Sequence, residues 1–291
     1  MPLVTIACIT YNHAAFIKQC LDGFLMQKVN FEFEIVVNDD ASTDNTQEIL
    51  MEYQNKYPDK IKLLLRTENL FSIGVTKIFY HTIIKHSKAK YIATCEGDDY
   101  WTDEYKLQKQ IDFLESNPDY NISVGRVMNL NQADGKLTGK KELEKLFDEP
   151  YLSIREYLKG TFSQTSTFVF RNAEFLLPSF CNHFDGEDIL LVILTVKHGK
   201  IKFHNEVFSV YRIHSGSYTQ QTFEWKMYFL GAYNYAEAIH ILLDKKYKSL
   251  IVSKQLGSWL DYKVRTSSNR AFKYGYLIMG RINLLVKRYI L

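Results

Sequence analysis

The chain has 291 residues, 46% of them hydrophobic and 14% aromatic, with 14 Gly and 5 Pro, a composition that supports a substantial core and excludes a disordered or fibrous protein. Its longest aliphatic run, ILLVIL at 189–194, is too short to span a bilayer, and the first residues lack a basic stretch and a small-residue cleavage site, so neither a transmembrane helix nor a signal peptide is expected. The net charge of +3 is uneven: from Lys245 to Leu291 eleven Lys or Arg face one acid, giving +10 there and leaving −7 for residues 1–244, an acidic body that argues against nucleic acid as a partner.

In chain order, LVTIACI (3–9), FEIVV (33–37), IKLLL (61–65), YIATC (91–95) and ISVGRV (122–127) have the length and composition of buried strands. Between them, 14–27, 44–56, 74–87 and 103–116 carry apolar residues at helical spacing; Phe16, Cys20, Leu21, Phe24 and Leu25 make one face of the first. This alternation predicts an α/β fold with a mostly parallel sheet covered on both sides, and such sheets bind ligands beyond the carboxyl ends of their strands. From 128 to 152 the chain turns polar, which predicts a surface excursion or lid. A strand at 166–170, a helix at 187–198 and a strand at 201–213 follow, and from 220 onward the pattern is helical. The cysteines, at 8, 20, 95 and 181, have no metal-ligand spacing and suit a reducing cytoplasm.

Polar signals gather at the strand ends: Thr10, Tyr11 and Asn12 after the first, Asp39 and Asp40 after the second, and Glu96, Gly97, Asp98, Asp99 and Trp101 after the fourth. In NDDASTDNT (38–46), Ser42, Thr43 or Asp44 suits an N-cap, whereas Asp39 and Asp40 lie outside the cap and suit a nucleobase imide or ribose hydroxyl. Three acids within EGDD repel one another, so they need solvent, donors or a cation; their oxygens fit Mg2+ or Mn2+, with Asp98 the first choice as ligand. FDGEDILLVI (184–193) places Asp185, Glu187 and Asp188 before an apolar helix, more acids than a cap requires, so one of them suits a general base. YRIHSGSYT (211–219) offers His214 to complete a metal shell, with Arg212 and Ser217 for phosphate oxygens. An acidic rim also suits a nucleotidyltransferase, a phosphatase or a catalytically silent nucleotide-binding module. An aspartyl phosphatase needs an Asp on the first strand, and LVTIACITYN has none.

With these motifs in place the chain resembles the family 2 glycosyltransferases of GT-A fold over about residues 2–218. VTIACITYNHAAFIKQCLDGFL resembles the family's opening strand and helix, EIVVNDDASTDNT its VDDGSTD segment, CEGDDYW its DxD motif, GED its ED motif and YRIHSGS its late basic and histidine segment. The resemblance implies a catalytic domain at 1–218, with a nucleotide-sugar half at about 1–100 and an acceptor half at about 101–218, followed by a helical basic extension at 219–291. It implies inverting transfer from a nucleoside-diphosphate sugar, UDP-linked by frequency, to a saccharide or lipid-linked saccharide in bacterial surface polysaccharide or glycolipid synthesis. Asp188 would be the base, and Asp98 and His214 would hold Mn2+ or Mg2+. Thr10, Tyr11, Asn12, Asp39, Asp40, Glu96, Gly97, Arg212 and Ser217 would line the donor site, and Asp99, Trp101 and Glu187 would serve the acceptor or a secondary role. Three features depart from the family pattern: Ala41 replaces the usual Gly, Glu96 replaces the usual Asp, and ENLFSIGVTK matches only in part, through Asn69, Gly74 and Lys77.

At about 100° per residue, Arg270, Lys273, Arg281 and Arg288 fall within about 80° of one another, opposite Phe272, Met279, Ile282, Val286 and Ile290, although Leu277 and Leu284 fall inside the basic arc and blunt the pattern. This face suits an anionic membrane surface, which predicts a cytoplasmic enzyme peripheral to the inner face of the plasma membrane; a helix packed on the catalytic domain is the alternative. A homodimer is left open.

Overall fold

The computed structural model describes residues 1–139, 164–172, 177, 187–196, 199–217 and 279. The expected helices beyond 220 with their basic face, Asp185, Cys181 and the far part of the polar excursion lie outside the described residues. The elements are β1 (Val4–Thr10), α1 (Ile17–Leu25), β2 (Phe33–Asp39), α2 (Thr46–Lys56), β3 (Ile61–Leu65), α3 (Ile78–Thr82), β4 (Tyr91–Glu96), β5 (Tyr100–Trp101), α4 (Lys106–Ser116), β6 (Tyr120–Asn131), β7 (Lys136–Gly139), β8 (Val169–Arg171), α5 (Glu187–Val196) and β9 (Lys200–Ile213). The strands form one sheet in the order β3-β2-β1-β4-β8-β6-β9-β5, with β7 paired to β6. Pairing is parallel throughout β3-β2-β1-β4 and between β6 and β9, while β8 and β5 join antiparallel.

Strands β1 and β4 are buried on both faces, which is why they read as continuous apolar runs without alternation. One face is covered by α1, whose Ile17, Cys20, Leu21 and Phe24 recur at helical spacing, and by α4 through Leu107, Ile111 and Leu114. Each such side chain, fully buried, contributes about 1.5–3 kcal/mol. Gly23 lets α1 approach β5 closely, since a Cβ there would stand 3.0 Å from the Trp101 amide nitrogen. Cys8, Cys20 and Cys95 are free thiols in this core. No helix among the described residues is long and apolar enough to cross a membrane.

Two of the expected elements take another form and one strand is added. The helix expected over 74–87 shrinks to α3 and a 3-10 turn at Ile84–His86, because Gly74 adopts a left-handed φ of 91° and Val75 and Thr76 are β-branched. The polar excursion begins as a hairpin: β6 runs on to Asn131 and turns through Gly135 (φ 69°) into the exposed β7. The two-residue β5 is an addition, set by the pairing of Tyr100 with Val210 and of Trp101 with Ser209.

Candidate functional site

The carboxyl ends of β1, β2 and β4 share one rim. Register pairs Thr10 with Asp39 and Ile9 with Glu96, so strands about 4.8 Å apart set Thr10 between the two acidic turns. The first turn is fastened to the second. Asn12, left-handed at φ 54°, donates its amide to Ser42 Oγ (2.8 Å) and accepts from the Thr43 amide at Oδ1 (2.7 Å). The His13 amide donates to Thr46 Oγ1 (2.9 Å) and the Ala14 amide to Asp44 Oδ2 (3.1 Å). STDNT therefore does more than start α2: it fixes the loop that follows β1. Ala41 keeps a left-handed φ of 62°, so the turn is preserved without glycine at a steric cost of about 1–2 kcal/mol.

Asp39 and Asp40, expected at the donor site, have carboxylates engaged within the protein. Asp39 is fully buried and accepts from the Ser42 amide (2.9 Å), Ser42 Oγ (2.5 Å) and Gln47 Nε2 (2.6 Å). Asp40 accepts from the amides of Leu70 (2.8 Å) and Phe71 (3.1 Å), which ties the ENLFS loop to the rim. Buried carboxylates require such donors, and the turns beside them supply backbone N–H groups. Tyr11 is exposed at the mouth of this turn, and Thr10 is buried against Gly97. Only glycine fits at 97, because a Cβ would lie 2.6 Å from Thr10 Oγ1.

The acids of EGDD are held in different states. Asp98 Oδ2 lies 3.1 Å from His214 Nε2 and 3.7 Å from His13 Nε2. Burial raises its pKa, but the His214 hydrogen bond and the two nearby imidazoles prevail and hold the carboxyl below its usual range. Glu96 is pushed up to about 8, first by burial and then by the charges of Asp98 and Asp188. Asp99, buried and beside Asp98 and Glu96, is raised well above the ordinary range, and its Oδ1 accepts the Arg212 amide at 2.9 Å. That bond carries the end of β9 onto the acidic turn.

Four expected site residues have structural settings here. Arg212, expected on phosphate oxygens, is buried; it donates to the Asp98 carbonyl (2.5 Å) and to Gln19 Oε1, and its guanidinium lies over the Phe16 and Tyr100 rings at 5.0 and 4.6 Å. Its cation thus braces the Asp98 turn. Ser217 Oγ donates to the His214 carbonyl (2.9 Å) and closes the turn that presents the imidazole. Trp101, expected toward the acceptor, is a core side chain: its indole donates to the Ser166 carbonyl (2.7 Å) and its ring meets Phe24 at 4.7 Å. Glu187, the first residue of α5, accepts from the Phe79 (3.1 Å) and Tyr80 (2.6 Å) amides in the first turn of α3. Burial pushes its pKa up to about 8 against the pull of those amides and Lys77.

Asp188 is half-buried at the start of α5, near enough to both Glu96 and Glu187 to raise their pKa values, which brings it to the same acidic field as Asp98. His13 is the site residue that the sequence reading passed over. Its ligand nitrogen, an Asp98 oxygen and a His214 nitrogen lie within 4.8 Å of one another. This set of two imidazoles and a carboxylate held below its usual pKa fits a divalent cation, with Asp98 and His214 as the expected ligands. The signal available in the sequence was position alone: any histidine in the β1–α1 loop falls on the rim.

The model of Glycosyl transferase family 2 matches residues 5–175. An uncharacterized protein of Mycobacterium tuberculosis is 30% identical over 275 residues, covering 92% of this chain and 76% of the relative. The poly(ribitol-phosphate) beta-glucosyltransferase of Bacillus spizizenii is 31% identical over 129 residues, 44% of this chain and 19% of that protein. Among solved structures, TarS 1-349 of S. aureus in complex with UDP-GlcNAc superposes with a TM-score of 0.66 at 17% identity, covering 99% of this chain and 79% of that one.

Proposed function

The chain belongs to glycosyl transferase family 2, and from that membership we propose that it transfers a sugar with inversion from a nucleoside-diphosphate donor, a UDP-sugar, to a hydroxyl of a cell-surface saccharide or lipid-linked saccharide. The single observation that carries the reading is the contact of Asp98 with His214 at 3.1 Å, made by residues more than a hundred positions apart, beside a Glu96 whose pKa the charges of Asp98 and Asp188 both raise. A relative that glucosylates poly(ribitol-phosphate) and a fold neighbour holding UDP-GlcNAc support the acceptor and donor classes.

In this reading residues 1–218 form the catalytic unit. Tyr11 and the Asn12–Ser42 turn present the base pocket, and Asp39 and Asp40 shape that pocket from behind. Arg212 and Asp99 hold the Asp98 turn. Asp98 and His214 would hold a divalent cation there, which would supply positive charge opposite the departing diphosphate. Asp188 accepts the acceptor hydroxyl proton while that oxygen bonds to the anomeric carbon, and the bond from that carbon to the diphosphate breaks with its electron pair on the leaving oxygen. Attack opposite the leaving group inverts the carbon. Glu96, buried beside Asp98, faces the ribose side.

A panel of nucleotide sugars, scored by thermal shift with and without Mn2+ and then by release of nucleoside diphosphate, tests this. One donor class gives a metal-dependent shift and turns over with an acceptor; Asp98→Asn loses the metal dependence, and Asp188→Asn keeps the shift and loses transfer. Donor binding without turnover on any acceptor would instead indicate a silent nucleotide-binding module, and parental transfer by Asp188→Asn would remove the assigned base.

A further inference from the structure

We propose that His13 is a third protein ligand of the cation, so that His13, Asp98 and His214 together bind a nitrogen-accepting transition-metal dication in the free protein and discriminate against Mg2+. The inference rests on the reading of this rim as the metal and donor site, and it adds to that reading the class of ion and the order of loading.

The spacing suits shared coordination. Donors adjacent around a six-coordinate ion with bonds of about 2.1–2.2 Å stand about 3 Å apart, and here the Asp98 oxygen is 3.1 Å from His214 Nε2 and 3.7 Å from His13 Nε2. All three ligand atoms lie within 4.8 Å of one another. The donors come from fixed positions, since each follows a sheet strand and each turn is tied down: His13 by its amide to Thr46, Asp98 through Arg212 on its carbonyl, and His214 by the Ser217 hydroxyl on its own carbonyl. Phe16 packs on the His214 ring at 4.6 Å, and the two imidazoles meet edge to face at 6.2 Å. Donors held in place before the ion arrives give affinity without nucleotide.

Packing alone does not account for a histidine at 13. Its Nδ1 is buried without a hydrogen-bond partner among the described residues, a cost that an apolar ring of similar size would avoid. A ligand role for the ring accounts for keeping an imidazole there. Two imidazoles and one carboxylate favour the transition dications over Mg2+, which prefers all-oxygen shells and retains its waters. Three protein donors leave positions on a six-coordinate ion for diphosphate oxygens and water.

The test uses the full chain without nucleotide, titrated with Co2+ and followed by visible absorption, with Mn2+ binding followed by electron paramagnetic resonance. One Co2+ binds per chain, and Mg2+ in about hundredfold excess fails to displace it. His13→Asn and His13→Ala each weaken Co2+ and Mn2+ binding about tenfold or more while retaining the parental far-UV circular dichroism. Spin-echo modulation of Mn2+ on the parent protein reports two coordinated imidazole nitrogens, a reading that needs no variant to fold. Parental affinity in both variants, a single imidazole nitrogen, or displacement by equimolar Mg2+ would overturn the proposal. Failure here is separable from failure of the transferase reading. Metal held through His13 with no response to any nucleotide sugar supports this inference and sinks that reading, whereas donor binding with metal taken up only alongside nucleotide does the reverse.

Discussion

Lys106 shows what a single side chain can impose. It opens α4, is fully buried, and its Nζ finds no hydrogen-bond partner among the described residues; it lies 4.0 Å from the centroid of the Trp101 ring, behind the EGDDYW turn. Burial pushes its pKa down from 10.5 to about 7, with Cys95 and Asp103 pulling weakly the other way. Between those two values the unfolded chain binds a proton that the folded chain does not, so this residue makes stability climb with pH from about 7 to 10.5, and its penalty is complete below about 7. Lys106→Met keeps the stem packed and removes the titration. We expect urea unfolding at a series of pH values to show a gain of roughly 1–3 kcal/mol at pH 7 and a flatter slope up to pH 10; an unchanged slope would place the pH dependence on other groups. At this scale the sequence was only partly legible. Gly97 and Asp98 stood out by type and spacing, but Lys106, at a helix start, reads as an ordinary solvated lysine, and nothing local marks Arg212 as buried. His13 escaped because both of its partners are remote in sequence.

Among elements, those with a full apolar stripe were legible from pattern, and those fixed by a distant contact were not. Helices α1, α2 and α4 lie within the expected segments 14–27, 44–56 and 103–116, each shortened by two or three residues at its start. Helix α3, whose start is delayed by Gly74 and the β-branched pair after it, has its first-turn amides taken up by Glu187, a residue more than a hundred positions away that no local pattern reveals. The same bonds join α3 to the helix that starts at Glu187 and carries Asp188 in its first turn, which under the proposed function makes Glu187 a positioning residue. Glu187→Gln puts an NH2 donor where one of the two accepting side-chain oxygens stood, and loses one of the two amide bonds. The expected cost is about 1–2 kcal/mol of stability, with kcat lowered about tenfold through the displaced base and donor KM held within about twofold. Stability and kinetics of the folded variant, measured on one preparation, decide the point: a lower unfolding midpoint with parental kcat would make the clamp structural only.

At the scale of the whole molecule, the convergence of remote carboxylates was legible because parallel strands of similar length end on one edge; the register of Thr10 with Asp39 and of Ile9 with Glu96 realises that expectation. The route by which β9 returns to the same edge was not, since it depends on the short β5 and on the Asp99 carboxylate receiving the Arg212 amide. Charge segregation is a second whole-chain property. Residues 1–244 carry −7 and Lys245–Leu291 carry +10, so an anionic bilayer repels the first part and attracts the second. Each basic residue held near such a surface contributes about 1 kcal/mol, and the attraction fades within a Debye length. Replacing Arg270, Lys273, Arg281 and Arg288 with Gln removes four of the eleven cations while leaving the catalytic residues untouched. Sedimentation with phosphatidylglycerol vesicles should fall by at least tenfold in partition coefficient, and binding by the parent should weaken as salt rises and vanish on zwitterionic vesicles. Equal sedimentation of parent and variant, or binding insensitive to salt and lipid charge, would count against attachment through the tail and favour a role for its basic residues within the folded protein.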